Sequence, residues 1–280
     1  MIKINSELPM CMLDKNNTYN EYDFVLFHLY VSNTEYRNYY LNQRRTNPSR
    51  LMILDNSAYE FYVKGEQLDL QEFFEAICEL KPDMYILPDV LMSKEKTLDG
   101  VHKFIDLYIE DIHTYSPGSN PMAVAQGITE DELVECLNLY NDMGIKCVAI
   151  PFHNTFFKDM GCDVASGIEE AFCMFHCTST ITDDMRYSMG RVRFVRSHSN
   201  LLSKFWHVHM LGSHSVAEKA FYGHLHTMDT AYPVKCAIEG YMLGMEPHKP
   251  EVIIDEFLNT DLPKETQYLI STNVLKFRNL

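Results

Sequence analysis

The sequence lacks the features that mark membrane-spanning, nucleotide-binding and disulfide-stabilised proteins. No apolar run approaches the roughly 20 residues that span a bilayer, and no G-x-G-x-x-G or P-loop motif is present. The eight cysteines follow no framework spacing, lie mostly in apolar runs and have no signal-peptide pattern ahead of them. The chain also contains no internal repeat and no low-complexity segment. These absences predict a globular cytoplasmic protein with reduced thiols in its core.

Basic residues are scarce as well, since 24 Lys and Arg stand against 39 Asp and Glu, for a net charge of −15. Such an excess of acid favours solubility and disfavours general contact with polyanions. The 280 residues are 46% hydrophobic, which is enough for one large core. We therefore predict a single domain over residues 1–280.

Short apolar runs that end in a polar or turn residue alternate with stretches of helical periodicity. The runs cover residues 8–13, 24–30, 51–55, 84–89, 122–127, 147–152, 207–212 and 227–233. Residues 69–82 and 129–144 are amphipathic, and the second stretch has Thr129 and Glu132 in capping-box spacing. Buried strands that alternate eight times with helices are typical of a (β/α)8 TIM-type barrel. We predict this α/β fold, with an insertion around 153–206 that is too long for an ordinary loop.

Four polar side chains close apolar runs, namely Asp55, Asp89, Gln126 and Asp229. A barrel would gather them at one mouth, because the carboxyl ends of its strands build the active-site face. The alternative is that aspartates start turns and cap helices, although Gln126 caps poorly and Asp55 precedes no clean helix start. Converging carboxylates suit glycosyl transfer, in which one ionised group attacks or stabilises a sugar carbon and another moves a proton.

These residues lie in motifs that resemble the tRNA-guanine transglycosylases and their phage-type relatives, which insert 7-deazaguanine bases into DNA. The family motifs D-S-G-A-F-Q, V-Q-G and Y-L-M-G are matched in order by "DNSAYE" (55–60), "VAQG" (124–127) and "HMLG" (209–212). Asp89 matches the fourth-strand aspartate of the family, and Asp229 matches its nucleophile. The ordered set extends over roughly residues 50 to 240, which is most of the chain.

The resemblance implies that guanine in DNA, or less readily in tRNA, is exchanged for a free 7-deazaguanine such as preQ0 or a derivative. Asp229 would attack C1′ of the target nucleoside and form a covalent intermediate, while Asp55 would act as the general acid and base. Asp89 and Gln126 would bind the base. The other substrate-binding positions implied by the motifs are Ser57, Gly127 and Gly212. The resemblance implies no cofactor.

The sequence departs from the family in two places. The tRNA enzymes carry a C-x-C-x-x-C and histidine zinc site after the last strand, but only Cys236 follows it here, so we expect no such zinc. This difference and the short chain favour the phage DNA-modifying branch, for which the compartment would be the host cytoplasm. Glycines that contact the base after the sixth strand are replaced around Ile150, Pro151 and Phe152, and Pro151 offers no N–H donor.

Two stretches without acidic residues, 36–50 and 185–204, together hold nine basic residues. Segregated positive charge suits contact with one polyanion, and Tyr36, Tyr39 and Tyr40 would be placed to stack on unpaired bases. A solvated helix face is the alternative. The arginines that we predict to contact nucleic acid are Arg44, Arg45, Arg186, Arg191, Arg193 and Arg196.

Histidines and cysteines support rival functions. His207 and His209 would share one face of a strand, and such pairs bind zinc in barrel hydrolases that use a strand-end aspartate as the base. A second possible zinc cluster consists of Cys162, Cys173, His176 and Cys177. On a helix, the spacing of its last three members is usually core packing. A catalytically inactive barrel that only binds nucleic acid is a third alternative.

Overall fold

Eight β-strands, separated by helices, form the framework of the chain. The computed structural model describes residues 2–152, 155–162, 164, 166–176, 179–245, 250, 252 and 261–279. The strands are β1 (Lys3–Ser6), β2 (Asp23–Leu26), β3 (Met52–Asp55), β4 (Met84–Ile86), β5 (Asn120–Val124), β6 (Cys147–Ile150), β7 (His207–Met210) and β8 (Thr227–Thr230). Within these described ranges, no helix has the length and apolar character needed to cross a membrane.

The strands belong to one sheet in the order β1-β8-β7-β6-β5-β4-β3-β2. From β2 to β8, strands that follow one another in sequence are therefore hydrogen-bonded neighbours, whereas β1 pairs with β8. The pairings whose register is defined are parallel. The register places Leu26 opposite Asp55 and Asn5 opposite Asp229. This arrangement is the (β/α)8 TIM-type barrel predicted from the apolar runs. Helices cover the strands, which is why the strands are buried except at the first residues of β1, β5 and β7 and show no alternation.

The helices follow the strands in the order expected for this fold. They are α1 (Asn16–Tyr19), α2 (Phe27–Ser32), α3 (Thr34–Thr46), α4 (Ala58–Lys64), α5 (Leu70–Leu80), α6 (Lys94–Tyr115), α7 (Glu130–Asp142), α8 (Thr155–Met160), α9 (Ser166–Phe175), α10 (Asp183–Ser197), α11 (Ser199–Leu202), α12 (Val216–Phe221), α13 (Tyr232–Ile238) and α14 (Lys264–Asn279). The two amphipathic stretches are confirmed as α5 and α7. Thr129 caps α7 by accepting a hydrogen bond from the Glu132 N–H, as its sequence spacing predicted.

The first two strands differ from the prediction. The first apolar run, 8–13, is largely a 3-10 helix (Met10–Lys15), and β1 lies before it. Pro9 stands at the start of this helix and has no N–H to give to a strand ladder. In the second run, only the first part is strand, and α2 begins at Phe27. A continuous apolar run has no period that separates a buried strand from a buried helix.

Contacts within the chain group its residues into two compact units. The first unit comprises residues 1–21, 151–199 and 209–280, and the second comprises residues 22–150 and 200–208. Each unit contributes strands to the sheet and has its own set of predicted site residues. The prediction of a single domain over residues 1–280 stays a prediction.

The predicted insertion between β6 and β7 consists of helices α8 to α11. Thr182 begins α10 by accepting a hydrogen bond from the Met185 N–H. α8 and α10 approach each other closely at two glycines. A Cβ on Gly190 would overlap the backbone of Phe157, and a Cβ on Gly161 would overlap the backbone of Arg186. The insertion is therefore a packed element whose helix spacing depends on small residues.

This close approach predicts that Gly190→Ala destabilises the protein. Overpacking against backbone atoms, which cannot rotate away, costs about 1–3 kcal/mol in a well-packed region, and we expect a loss at the upper end of that range. The measurement is the free energy of unfolding in urea. Gly223→Ala is the matched control in the same unit, because a Cβ at Gly223 meets nothing within 4 Å. Equal stability of the two variants would contradict the packing described here.

Candidate functional site

The four strand-end residues lie where the sequence placed them. Asp55 is the last residue of β3, Asp89 and Gln126 follow β4 and β5 within three residues, and Asp229 lies in β8. Asp55, Asp89 and Gln126 belong to the second unit, and Asp229 belongs to the first. The contacts of Asp55, Asp89 and Gln126 described below lie within the second unit, and those of Asp229 lie within the first.

Asp89 is held by two side-chain amides. Its Oδ1 accepts a hydrogen bond from Asn56 Nδ2 at 2.7 Å, and its Oδ2 accepts one from Gln126 Nε2 at 2.7 Å. The other atom of the Gln126 amide, Oε1, accepts from the Met92 N–H at 3.0 Å. We call Asp89, Asn56 and Gln126 the Asp89 cluster. Because each carboxylate oxygen has a second acceptor site, the fixed carboxylate can still receive a pair of donors from a ligand.

The protonation of Asp89 is tuned by opposing effects. Burial of the carboxylate raises its pKa above the ordinary value, and the hydrogen bonds from Asn56 and Gln126 act in the lowering direction without cancelling this rise. The carboxylate therefore takes up a proton at a higher pH than an ordinary aspartate does. A ligand that needs the ionised form will lose its acceptor as the pH falls.

Asp55 lies at a strained turn. Its Oδ2 accepts a hydrogen bond from the Ser57 N–H at 2.7 Å, and Ser57 has a left-handed backbone with φ of 59°. The Ser57 hydroxyl is fully buried, accepts from the His28 N–H at 3.1 Å and lies 2.9 Å from His28 Nδ1. A left-handed non-glycine residue costs of order 1 kcal/mol or more and is typical of functional sites. These contacts fix the direction of Asp55 at the end of β3.

Asp229 is oriented through one of its two carboxylate oxygens. Oδ1 accepts from His209 Nε2 at 3.0 Å and from the Gly212 N–H at 2.9 Å. An ionised carboxylate has no hydrogen to give, so His209 Nε2 is the donor in this contact. The other ring nitrogen, Nδ1, lies 2.8 Å from Thr227 Oγ1. We call Asp229, His209, Gly212 and Thr227 the Asp229 cluster.

The second oxygen of Asp229, Oδ2, has no hydrogen-bond partner among the described residues. The residue is only 5% exposed, and His209 is completely buried. A carboxylate in this setting is fixed at one oxygen and open at the other. It can therefore present an oriented lone pair to an electrophilic carbon.

Three aromatic rings of the first unit contact one another. The ring centroid of His214 lies 4.4 Å from that of Phe152 and 5.5 Å from that of Tyr232. Pro151 and Phe152, which follow β6, are both buried. The segment after β6 therefore presents an aromatic ring at Phe152 and no N–H donor at Pro151.

Two of the remaining predicted substrate positions are glycines with distinct structural roles. Gly212 has a left-handed backbone with φ of 60°, which glycine adopts readily. A Cβ on Gly127 would lie 2.6 Å from the Cβ of Glu132 on α7. Close packing against α7 therefore accounts for glycine at position 127.

The prediction that Arg191 contacts nucleic acid is wrong. Arg191 is completely buried, and its guanidinium pairs with Glu218 at 2.7 Å. Periodicity cannot reveal this, because the acid that neutralises Arg191 lies 27 residues further along the chain. Sequence reasoning counted a buried ion pair as surface charge.

Other arginines of the two basic stretches are also paired within the protein. Arg44 binds Asp83 at 2.9 Å, and Arg186 contacts Asp183 at 3.3 Å. Arg193 donates to the Met160 carbonyl at 3.3 Å, whereas Arg45 and Arg196 are exposed. The local positive charge is therefore smaller than the sequence predicted.

The proposed stacking tyrosines are corrected in part. Tyr36 and Tyr40 are buried, at 3% and 4% exposure, and the hydroxyl oxygen of Tyr36 accepts a hydrogen bond from the Leu26 N–H at 3.0 Å. Their rings pack edge to face and are closed to an unpaired base. Tyr39, which is half-buried, is the remaining member of this set.

The histidines and cysteines do not assemble into a metal-binding group in the part of the chain that the structure describes. No set of three His, Cys, Asp or Glu side chains there has the arrangement of a metal site. His209 is engaged with Asp229 and Thr227, while His207 begins β7 at the opposite end of the strand. Cys177 of the second possible cluster lies outside the described residues.

Sequence reasoning missed the partners of the two aspartates. His209 was considered as a ligand only in the alternative zinc hydrolase, and Asn56 was passed over although it follows Asp55 directly. The signal for His209 is its place in β7, which is the strand before β8 and therefore its neighbour in a barrel. The signal for Asn56 is an amide at a strand end.

Comparison with known proteins adds no family to this description. Neither the profiles of known protein families nor the sequences of curated proteins give a match to the chain.

Proposed function

We propose that the protein is a base-exchange transglycosylase that replaces guanine in DNA with a 7-deazaguanine. The observation that carries this proposal is the carboxylate of Asp229, buried at a strand end with Oδ1 held by two donors and Oδ2 without a partner among the described residues. A glycosyl-transfer nucleophile needs this combination, because it must stay ionised and directed while positive charge develops at the sugar carbon.

The Asp89 cluster supports a purine-type ligand. Guanine and its 7-deaza analogues present N1–H and the 2-amino group side by side, and a carboxylate accepts from such a pair. Asn56 and Gln126 each hold one of the two oxygens of Asp89 by a hydrogen bond. In this proposal, Gln126 chiefly orients Asp89, because its Oε1 is engaged by the Met92 N–H.

The turn after β3 gives further support. The family motif D-S-G-A-F-Q has glycine at the position of Ser57, and Ser57 has the left-handed backbone that glycine adopts without strain. Asp55 thus occupies a turn of the conformation that this motif requires. The proposal assigns it the proton transfers at N9 of the base.

The exchange proceeds as two displacements. Asp229 Oδ2 forms a bond to C1′ as the bond from C1′ to N9 of guanine breaks, and Asp55 gives its proton to N9. The incoming 7-deazaguanine then loses its N9 proton to Asp55 and attacks C1′, which releases the Asp229 carboxylate. Both steps balance without a redox partner, and Asp55 returns to its starting protonation state.

Replacement of the nucleophile tests the proposal directly. Asp229→Asn should lower incorporation of labelled 7-deazaguanine into DNA on the order of 10³-fold or more, because an amide does not form the glycosyl ester. A covalent protein–DNA adduct, detected on a denaturing gel, should also be lost. Asp261→Asn, an exposed carboxylate in the same unit, is the control.

Undiminished incorporation by Asp229→Asn would remove the proposed nucleophile. Binding of DNA by the wild-type protein without any exchange would favour the inactive barrel. Parallel assays with tRNA in place of DNA decide the substrate.

Binding of the free base should depend on the ionisation of Asp89. The pKa of Asp89 is raised, so this acceptor takes up a proton at a higher pH than an ordinary aspartate does. The affinity for the free base should therefore fall as the pH is lowered toward the pKa of Asp89. Asp89→Asn should weaken binding about 100-fold at neutral pH and flatten the acid limb. Calorimetric titration between pH 4 and about 8 measures both, with exposed Asp99→Asn as the control. An acid limb that is unchanged in Asp89→Asn would exclude Asp89 as the titrating acceptor.

The exposed Arg196 at the end of α10 predicts a salt-dependent contact with nucleic acid. Arg196→Glu should weaken DNA binding more at low salt than at high salt, because each phosphate contact releases counterions. Fluorescence anisotropy over a series of salt concentrations gives the slope. The reversal Lys276→Glu on α14 is a charge-matched comparison, and equal slopes for the two variants would count against α10 as a binding surface.

A further inference from the structure

Arg191 of α10 is the buried centre of a hydrogen-bond network in the first unit. Its Nε and Nη2 bind the two carboxylate oxygens of Glu218 at 3.0 Å and 2.7 Å. The guanidinium also donates to the backbone, through Nη1 to the Leu211 carbonyl at 2.8 Å and through Nη2 to the Gly212 carbonyl at 2.6 Å. Its carbon Cζ lies 4.9 Å from the ring centre of Phe152. One side chain of the insertion thus fixes the backbone that follows β7.

Gly212 connects this network to Asp229. Its carbonyl accepts from Arg191, and its N–H donates to Asp229 Oδ1 at 2.9 Å. The next residue is fixed as well, since the Ser213 hydroxyl donates to Glu218 at 2.6 Å and the Ser213 carbonyl accepts from the Thr230 hydroxyl at 2.6 Å. Since glycine has wide backbone freedom, the direction of its N–H depends on these contacts.

We infer that Arg191 is a positioning residue for Asp229 and acts through the Gly212 peptide. It holds Gly212 in the left-handed conformation that directs the N–H at Oδ1, so that Oδ2 stays turned toward the reacting carbon. The role of Asp229 as the nucleophile rests on the proposed function. The hydrogen-bonded link from Arg191 to Asp229 does not depend on it. Arginine suits this role because its planar fork reaches an acid and two carbonyls together, which a lysine ammonium cannot do with the same geometry.

Two variants separate positioning from folding. Arg191→Lys keeps a positive charge beside Glu218 and removes the fork. The double variant Arg191→Met, Glu218→Gln removes both charges, so no uncompensated ion is left in the interior. Asn273→Ala is the stability control, because Asn273 is equally buried in the same unit and makes hydrogen bonds to Pro233, Tyr241 and Leu243.

The first measurement is amide hydrogen exchange at Gly212, followed by NMR in the intact protein. In both Arg191 variants, we expect amide exchange at Gly212 to become at least about 10-fold faster relative to exchange at the Val208 amide, which is the internal reference. The reason is that the Gly212 N–H loses its fixed direction. In Asn273→Ala the two amides should keep their wild-type ratio. An unchanged ratio in the Arg191 variants overturns the inference, whatever the activity of the protein.

The second measurement is the single-turnover rate constant for formation of the protein–DNA adduct. A positioning defect lowers this constant, about 10- to 100-fold for a small misplacement, while the adduct amplitude stays that of the folded protein. A purely structural role lowers the amplitude and leaves the constant unchanged, and that result overturns the inference. If the wild-type protein forms no adduct at all, the proposed function fails, and exchange at Gly212 still decides whether Arg191 fixes this peptide.

Discussion

The structure around Asp229 depends on the cost of burying a carboxylate. A charge removed from water must be paired or hydrogen-bonded, or it takes up a proton and loses its charge. Here the compensation comes from a ring N–H of His209 and a backbone N–H of Gly212, and both act on the same oxygen. Both donors act on Oδ1, and Oδ2 has no hydrogen-bond partner among the described residues. In the proposed function, this asymmetric pair of contacts both compensates the buried carboxylate and leaves one of its oxygens available for attack.

The need to compensate a buried carboxylate also explains why the insertion contacts the backbone that follows β7 in the first unit. The N–H of a glycine gives a directed hydrogen bond only if the peptide cannot rotate, and Arg191 supplies that restriction from α10. Arg191 is itself a buried charge, so it needs Glu218, and Glu218 in turn accepts from Ser213. Each buried ion is satisfied by the next, back to the peptide that contacts Asp229. Removal of one member of such a network is destabilising, because it leaves a buried polar group or charge without its partner. The network therefore fixes a single arrangement.

Local patterns in the sequence were sufficient for most of the framework, and non-local pairing explains the errors. The runs that became β3 to β8 were found because parallel strands buried on both faces are continuous and apolar. The same criterion failed at residues 8–13, where Pro9 redirects the chain. The strand-end aspartates were found because each closes an apolar run. His209 was considered as a metal ligand only in an alternative hypothesis, and its contact with Asp229 was missed because it depends on a strand pairing that no local pattern shows.

The basic stretches show how charge counted along a sequence differs from charge presented in space. In a protein of net charge −15, several arginines are paired with an acid, as Arg44 is with Asp83 and Arg186 with Asp183 of the same helix. What remains open to a polyanion is a small set of exposed arginines set against an acidic background. Such a surface gives weak, salt-sensitive attraction. Selectivity for a nucleic acid would then have to come from the recognition of one base by a fixed carboxylate, and not from affinity for the phosphate backbone.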